Sequence, residues 1–237
     1  MKILDIEGIE IFNSVYEYLD SNMYLFFPSE SEAILVDPHV DKEFLSIIQK
    51  KKVQKTYIFL THEHTDHTSG IYWYQENLEC EIICQSSCAE YISNKRKMRP
   101  LLTYLILEEK DRLEGTSQLE KFKKEFIVHT YEADVTYDDN LRFRIGEIEV
   151  LFEHIPGHSM GSSLILLNGK IAFTGDSLLK EIPVITRFPA SNHNQYIEYT
   201  LPILSSLDPE MIILPGHGEP FYLKEMIVEG KLNIEYK

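Results

Sequence analysis

The stretch Thr61-His62-Glu63-His64-Thr65-Asp66-His67 directly follows the apolar, strand-forming run Tyr57-Ile58-Phe59-Leu60. It places three imidazoles and the carboxylate of Asp66 within six residues. No structural role requires this grouping, whereas imidazole nitrogen and carboxylate oxygen are ligands that many divalent ions take in proteins. The stretch therefore predicts a metal site in a loop at the end of a strand.

Three later segments carry further ligands in the same setting. Each follows a β-rich run and ends at a turn: Ile155-Pro156-Gly157-His158, Phe173-Thr174-Gly175-Asp176 and Leu214-Pro215-Gly216-His217. Loops along one edge of a sheet bring together residues that are distant in sequence. We therefore expect one site with seven ligands: His62, His64, Asp66, His67, His158, Asp176 and His217.

The spacing divides these ligands between two ions. Residues two apart on an extended segment face the same side, so His62 and His64 share an ion while Glu63 points away. We expect the first ion to bind His62, His64 and His158. We expect the second ion to bind Asp66, His67 and His217. Asp176 has two carboxylate oxygens and is expected to bridge the ions.

Two divalent ions in one pocket change the chemistry of the water between them. Metal coordination lowers the pKa of water to about 7, so a bridging hydroxide is a nucleophile at neutral pH. The ions also polarise a carbonyl or phosphoryl oxygen, so no Ser or Cys nucleophile is needed. Asp66, our candidate catalytic residue, or a metal-bound water delivers the proton to the leaving group. We expect zinc, with iron and manganese as alternatives, because all three accept these ligands.

The remaining four histidines fit structural roles better than ligation. His154 alternates with apolar residues on one strand face, so we expect it to be packed there or to support a ligand. His129 lies in an apolar run, and His39 and His193 lie in turns. We expect none of them to bind the ions.

Composition indicates an ordinary globular protein and argues against two classes of partner. Of the 237 residues, 43% are apolar and 26% are charged, as in ordinary globular proteins. The net charge of −15 argues against nucleic acid and anionic membranes as partners, because both attract basic surfaces. No stretch has the length of a membrane span, and the N-terminus becomes acidic at Asp5, too early for a secretion signal.

The three cysteines favour a cytoplasmic location. Cys80, Cys84 and Cys88 are spaced by four residues, a pattern that metal ligands also show. However, Cys84 ends a predicted strand and Cys88 begins a predicted helix, so the three thiols do not converge. We expect free, partly buried thiols.

Strand and helix patterns alternate along the chain. In the first half, strands are predicted over 9–12, 23–27, 33–37 and 57–60, with helices over 41–52 and 68–76. In the second half, hairpins are predicted over 141–155 and 164–173, a helix over 194–207 and a last strand over 211–214. Two β-rich halves that carry helices predict an α/β fold, a four-layer αββα sandwich, in a single domain over residues 1–237.

Residues 95–140 look inserted between the two halves. They combine a basic cluster that ends at Arg99, an apolar helical run and an acidic stretch. One interpretation is a helical pair on the surface of the body, which we slightly favour. The other is a lid over the metal site, lined by Leu101, Tyr104 and Leu105.

The motifs resemble those of the metallo-β-lactamase fold superfamily. The resemblance covers nearly the whole chain and rests on His62–His67, Gly157-His158-Ser159, Gly175-Asp176-Ser177 and Pro215-Gly216-His217-Gly218, with strand-like matches at 22–25 and 35–38. The complete ligand set is most similar to that of the glyoxalase II-like hydrolases. The resemblance implies thioester cleavage at a two-metal centre with the ligand roles given above. Only 20 residues follow His217, so we expect no counterpart of the C-terminal helical domain that binds glutathione in glyoxalase II.

Several functions are compatible with this pattern. We rank a thioester hydrolase first and a lactone hydrolase second, because lactonases of this fold carry a tyrosine shortly after the bridging aspartate, where this chain has Ser177-Leu178-Leu179-Lys180. A small phosphodiesterase of the same fold is a further alternative. An iron-dependent sulfur dioxygenase is another enzyme alternative. It typically uses a single iron with fewer ligands, so the set of seven ligands argues for two metals instead. A non-catalytic protein that binds a metabolite or a partner and retains the metal forms a separate class.

Overall fold

The computed structural model describes residues 1–236, and its first β-sheet is built by the N-terminal half of the chain. Strands β1 to β4 form an antiparallel meander, and β4 to β7 run parallel to one another. The seven strands, in their spatial order, are β1 (Lys2–Ile6), β2 (Ile9–Val15), β3 (Asn22–Ser29), β4 (Glu32–Val36), β5 (Lys55–Phe59), β6 (Cys80–Gln85) and β7 (Val135–Tyr137). Parallel pairing brings the ends of β4 and β5 to the same edge.

The second sheet is built by the C-terminal half. Its six strands are β8 (Asn140–Ile145), β9 (Ile148–His154), β10 (Ser163–Leu167), β11 (Ile171–Gly175), β12 (Ile212–Pro215) and β13 (Phe221–Tyr222), in the spatial order β13-β12-β11-β10-β9-β8. Strands β11 and β12 are parallel, so the loops after them leave the same edge. The prediction that the strand ending at 214 is the last one is wrong. β13 follows it, as does a separate hairpin of β14 (Ile227–Val228) and β15 (Lys231–Leu232). Strands of two residues are too short for a periodic pattern.

Helices cover the outer faces of the sheets. They are α1 (Lys42–Lys50), α2 (Thr65–Thr68), α3 (Ile71–Asn77), α4 (Ser86–Ile92), α5 (Leu101–Glu114), α6 (Gln118–Glu125), α7 (His193–Gln195) and α8 (Leu201–Ser205), with a π-helical turn (Tyr196–Thr200) between the last two and a 3-10 helix (Leu223–Met226). Within residues 1–236, no helix combines the length and the apolar character that crossing a bilayer requires.

The helix predicted over 68–76 is divided into α2 and α3 at Gly70. The backbone N–H of Gly70 donates to the carbonyl of Pro38, 2.8 Å away. A Cβ atom at Gly70 would lie only 2.3 Å from the carbonyl carbon of His39. The break therefore follows from a close approach of two backbones, which sequence periodicity does not reveal.

Three apolar layers separate four layers of structure. Between the sheets, Phe26 of β3 stacks on Phe173 of β11 with ring centroids 5.9 Å apart. On the outer face of the first sheet, Phe44 and Tyr74 from α1 and α3 are fully buried. On the outer face of the second sheet, residues of the helical segment 193–205 pack in the same way, including Tyr196 and Leu204. The αββα sandwich predicted from the sequence is confirmed.

The helical part of segment 95–140 consists of α5 and α6. These helices pack on the loop after β2, where the rings of Phe122 and Tyr18 lie 5.1 Å apart in an edge-to-face contact. Leu107 of α5 is fully buried beside them. The last residues of the segment belong to the sandwich itself, because β7 pairs with β6. The inserted helices therefore end well before residue 140.

Candidate metal centre

The ends of four strands meet at one edge of the sandwich and bring the seven predicted ligands together. The loops after β5 and β9 place three imidazoles in contact. The Nδ1 atom of His64 lies 3.1 Å from the Nε2 atom of His62 and 3.1 Å from that of His158. Asp176, after β11, completes this first group, with its Oδ2 atom 3.6 Å from His158 Nε2 and 4.0 Å from His62 Nε2.

The second group of donor atoms lies directly beside the first. Asp66 Oδ2 is 3.3 Å from His67 Nε2 and 3.4 Å from His217 Nε2. Asp176 belongs to this group as well, because its Oδ1 atom is 3.5 Å from His67 Nε2 and its Oδ2 atom is 3.4 Å from His217 Nε2. One carboxylate thus faces both groups of imidazoles.

These distances suit metal ligation. Ligand bonds of about 2.0–2.1 Å in tetrahedral geometry place the donor atoms about 3.3–3.4 Å apart, close to the separations found here. The Nε2 atom of His67 and the Oδ1 atom of Asp176 are buried without a hydrogen-bond partner within the described part of the chain. Buried polar atoms without partners are costly, so the presence of these two atoms, 3.5 Å apart in the second group, points to a bound cation there. The donor sets therefore fit two divalent ions.

The imidazoles of the first group are held neutral, the form that binds metals. Burial, together with the neighbouring His158, lowers the pKa of His64 to about 3. Burial also lowers the pKa of His62 and of His158 itself. A neutral imidazole offers its free nitrogen lone pair to a cation.

The second group attracts positive charge. Burial raises the pKa of Asp66 and Asp176, but the surrounding imidazoles outweigh this effect and hold the pKa of both carboxyls well below the usual range. The same two carboxylates raise the pKa of His217 to about 10, although burial lowers it. Two ionised carboxylates in a buried pocket are thus stabilised by nearby positive charge, which either protons or metal ions supply.

Asp37 supports the site, and sequence reasoning missed this role. It follows β4, and its Oδ2 atom lies 3.0 Å from the Nδ1 atom of His67. Asp37 also accepts hydrogen bonds from the backbone N–H and the hydroxyl of Thr61, at 2.7 and 2.5 Å. With its oxygens engaged in this way, Asp37 orients His67 rather than joining the donor groups. The signal was a carboxylate at a strand end, in Leu35-Val36-Asp37-Pro38.

Glu63 points away from the metal groups, as predicted. Its carboxylate is buried and accepts hydrogen bonds from the Ser159 hydroxyl at 2.8 Å and the Gly161 backbone N–H at 3.4 Å. Burial raises the pKa of Glu63. Its contacts join the loop after β5 to the loop after β9, and they therefore help to bring His64 and His158 together.

Glycines allow the two loops of the second sheet to approach the site closely. A Cβ atom at Gly216 would lie 2.1 Å from Asp176 Oδ1 and 3.0 Å from His67 Cε1. Gly175 has a φ of +47°, and a Cβ atom there would lie 2.4 Å from the Thr61 hydroxyl. Both positions exclude a side chain, which explains the Gly-Asp and Gly-His pairs in the motifs.

The other histidines lie outside the donor groups found in residues 1–236. His39 stacks on Tyr16, and His129 stacks on Tyr72 with ring centroids 4.3 Å apart. The remaining two make local hydrogen bonds: His154 Nε2 to the Met160 carbonyl and His193 Nδ1 to the Thr186 hydroxyl. The three cysteines are free thiols, as expected.

A cavity of about 490 Å³ opens above the donor groups. Its floor is formed by His64, Asp66, His158, Asp176 and His217. One wall comes from the start of α5 and the basic residues before it, so the inserted segment does reach the site. Leu101 lines the cavity, as the lid interpretation predicts. The same interpretation is wrong for Tyr104, which packs on Phe122, and for Leu105, which is 64% exposed outside the cavity.

The αββα sandwich and the donor groups at its edge define a metal-binding hydrolase fold. The family model described as the metallo-beta-lactamase superfamily matches residues 17–217, and the chain belongs to this superfamily. Its members are largely hydrolytic enzymes that bind divalent metals. The resemblance noted in the sequence is confirmed.

Relatives and solved structures agree with this assignment. The chain is 26% identical over 199 residues to the hydroxyacylglutathione hydrolase GloC of Haemophilus influenzae, an alignment covering 83% of this chain and 85% of the relative. The structure is similar to that of the BLEG-1 B3 metallo-beta-lactamase, with a TM-score of 0.65, 19% identity and coverage of 89% and 93% of the two chains. It is also similar to TTHA1623 in a di-iron-bound form, with a TM-score of 0.64, 22% identity and coverage of 94% and 98%. At these identities the structural similarities establish the fold.

Proposed function

We propose that this protein is a binuclear metal-dependent hydrolase of carbonyl esters, and that its substrates are thioesters. The observation that carries the proposal is the position of Asp176, whose two oxygens face two separate groups of imidazoles within 4.0 Å. The similarity to GloC, named as a hydroxyacylglutathione hydrolase, supports the thioester. Zinc is the proposed metal, with iron or manganese as alternatives.

Some of these residues are proposed ligands of the ions, and others orient the ligands. His62, His64 and His158 are the proposed ligands of one ion. Asp66, His67 and His217 are the proposed ligands of the other. When bound, the two ions supply a hydroxide nucleophile at neutral pH and polarise the substrate carbonyl. The backbone carbonyl of Ile185 accepts from His158 Nδ1 at 2.9 Å and leaves the Nε2 atom of that imidazole free to ligate.

Asp66 is the proposed catalytic residue. It belongs to the second donor group and also lines the cavity, where a substrate reaches it. Because its carboxylate is ionised, it can take up the proton that the attacking hydroxide releases and pass it to the leaving group. A thioester depends little on protonation of the leaving group, because a thiol, with a pKa of about 8.5, leaves more easily than an alcohol.

Lactones remain the second candidate, and the structure adds one observation to the ranking. The tyrosine nearest in sequence after Asp176 is Tyr196, which is fully buried and donates to the backbone carbonyl of Ser177 at 2.9 Å. This hydroxyl is therefore engaged away from the cavity. Among the described residues, Tyr91 is the tyrosine that lines the cavity, and it comes from α4 in the other half of the chain.

A panel of substrates tests the proposal. The metal content of protein purified without added metal is measured first by elemental analysis, and we expect about two ions per chain. The loaded protein is then assayed with an acyl thioester, an acyl lactone and a small phosphodiester. Faster lactone or phosphodiester turnover would contradict the thioester assignment. Absence of any turnover by a fully loaded protein would favour the non-catalytic class.

Three sequence-based expectations stay predictions: a single domain over residues 1–237, a cytoplasmic location and the lack of a nucleic-acid partner. A small-molecule substrate is in keeping with the superfamily. The size of the cavity, about 490 Å³, also falls in the range of small-molecule sites.

A further inference from the structure

We propose that Arg96 and Arg99 bind an anionic group of the substrate, a carboxylate or a phosphate, while the apolar wall of the cavity binds the rest. This inference rests on the proposed thioesterase function and narrows its substrate class to amphipathic, negatively charged thioesters. It assigns a role at the site to the basic cluster before α5. From the sequence, the surrounding segment 95–140 was slightly favoured as a helical pair on the surface.

The charges around the cavity are the first observation. Arg96, Lys97 and Arg99 line it, and among its lining residues the acidic ones are Asp66 and Asp176, both in the donor groups. Lys97 is already paired, with its Nζ atom 2.6 Å from Glu90. Within residues 1–236, no carboxylate lies within 4.0 Å of the guanidinium of Arg96 or Arg99. Two uncompensated positive charges therefore face the cavity.

What distinguishes these two charges is their place in the lining of the cavity, since Arg187 and several lysines of residues 1–236 also lack a carboxylate within 4.0 Å. The net charge of the protein is −15, and acidic groups are available over most of its surface. Other arginines do find such partners: Arg112 pairs with Glu109, and Arg142 pairs with Glu149 at 2.8 Å. An isolated basic patch at the mouth of a cavity attracts anionic ligands and raises their rate of encounter. Guanidinium also matches carboxylate and phosphate oxygens with two parallel hydrogen bonds.

The start of α5 adds to the positive potential. No side chain forms a capping hydrogen bond at its N-terminus, where Pro100 is the N-cap residue. Leu101, Leu102 and Thr103 of the first turn line the cavity. The uncapped N–H groups of a helix N-terminus carry partial positive charge and favour an anion nearby. The helix end and the two arginines thus act on the same part of the cavity.

Another part of the cavity lining is apolar. It is formed by residues of the loop between β11 and α7, among them Leu179, Ile182 and Phe188. Ile182 is 48% exposed, which is high for a large apolar side chain. An apolar portion of a substrate would cover this surface and gain the free energy of removing it from water. A substrate that fits both walls is amphipathic.

The experiment compares butanoyl thioesters of three thiols: N-acetylcysteamine, which is neutral, glutathione, which carries carboxylates, and coenzyme A, which carries phosphates. A fourth probe, the succinyl thioester of N-acetylcysteamine, places the carboxylate on the acyl portion. The double variant Arg96→Ala/Arg99→Ala is compared with the native protein. The control is Arg144→Ala, which removes an exposed charge from β8, remote from the cavity lining.

We expect the double variant to lose at least about tenfold in kcat/KM with one or more of the anionic thioesters and less than about threefold with the neutral one. Arg144→Ala should leave all four values unchanged. The probe with the largest loss identifies the anion and the portion of the substrate that carries it. Equal losses with all four probes, or no loss with any, would overturn the proposal.

Binding of thioethers separates this proposal from the proposed function. The S-butyl thioethers of glutathione and coenzyme A cannot be hydrolysed, so thermal stabilisation by them reports binding alone. If the native protein cleaves no thioester but a thioether stabilises it in an arginine-dependent manner, the anion site stands and the thioesterase assignment fails. If thioesters are cleaved and neither thioether needs the arginines, the anion site fails and the thioesterase assignment stands.

Discussion

The Nδ1 atom of His67 lies 3.0 Å from the Oδ2 atom of Asp37, and both groups are almost completely buried. This contact holds the proton of the imidazole on Nδ1 and leaves Nε2, which has no hydrogen-bond partner in residues 1–236, to face the carboxylates of the second donor group. Asp37 follows β4, and His67 lies on α2 after the neighbouring strand. The orientation of His67 therefore depends on the parallel pairing of β4 with β5 in the first sheet.

The substitution Asp37→Asn tests this relationship. The amide is nearly isosteric with the carboxylate but loses the charge that supports His67. We expect metal affinity at the second group to fall by about 10–100-fold, measured by competition with a chromophoric chelator. The control Asp5→Asn changes an exposed carboxylate on β1 and should have no effect. Unchanged affinity in Asp37→Asn would mean that Asp37 only stabilises the fold.

The substitution Asp176→Ala removes the carboxylate that faces both groups of imidazoles. We expect the metal content to fall below two ions per chain and the hydrolytic rate to fall by at least about a hundredfold. Elemental analysis and initial rates measure the two effects on one preparation. The matched control is Glu181→Ala, an exposed carboxylate five residues further along the chain. Full activity in Asp176→Ala, or intact cellular function without activity, would argue against the catalytic role.

The substitution Gly216→Ala tests the close approach of β12 to the site. Its Cβ atom would lie 2.1 Å from Asp176 Oδ1, so that carboxylate or its loop must move. We expect activity and metal affinity each to fall at least about tenfold, with the circular dichroism spectrum retained. Gly218→Ala is a demanding control, because Gly218 has a φ of +82° and open space around it. We expect Gly218→Ala to cost about 1–2 kcal/mol of stability while activity is kept.

The metal-free protein should show a specific dependence of stability on pH. The pKa of His217 is raised to about 10 in the folded state, against about 6.5 in the unfolded chain. Its protonated form therefore stabilises the folded protein fully below about pH 6.5, and this contribution is lost as the pH rises through about 10. We expect chelated native protein to lose more thermal stability between pH 6.5 and 10 than the variant His217→Gln. Parallel pH profiles would contradict the assignment.

The contact between Phe122 and Tyr18 positions α5 beside the cavity. Phe122 is fully buried, so Phe122→Ala should lower the free energy of unfolding by about 3 kcal/mol. We expect it also to raise KM with little change in metal content, because α5 forms a wall of the cavity and holds no ion. Leu105→Ala, at a position of α5 that is 64% exposed, serves as the control. A loss of bound metal in Phe122→Ala would show that the helices support the donor groups instead.

The donor groups could be anticipated because their residues lie in short loops directly after strands. Where the polypeptide leaves a strand, the direction of the next residues is fixed, so the spacing in His62-Glu63-His64 is enough to place two imidazoles together. Runs of strand-forming residues likewise predicted the longer strands, and the helical period of apolar residues predicted α1. Local sequence patterns therefore predicted most of the sandwich and the convergence of the seven ligand residues.

Features that depend on contacts between distant segments could not be anticipated. Asp37 is one of many acidic residues in the sequence, and its role depends on parallel pairing of β4 with β5. Gly70 breaks a helix because the backbone of His39 passes beside it. Strands β13 to β15 have two residues each, and their pairing is set by the fold. The position of Arg99 at the cavity depends on the packing of Phe122 against Tyr18, more than a hundred residues apart in sequence.

Each donor group draws on both sheets. His62 and His64 come from the N-terminal half of the chain, whereas His158 and Asp176 come from the C-terminal half. A bound ion is then a non-covalent cross-link between the two halves, and its binding free energy adds to the cohesion of the whole sandwich. Metal depletion would weaken the contact between the two halves of the sandwich, so the lifetime of the folded protein in the cell would depend on the supply of the metal.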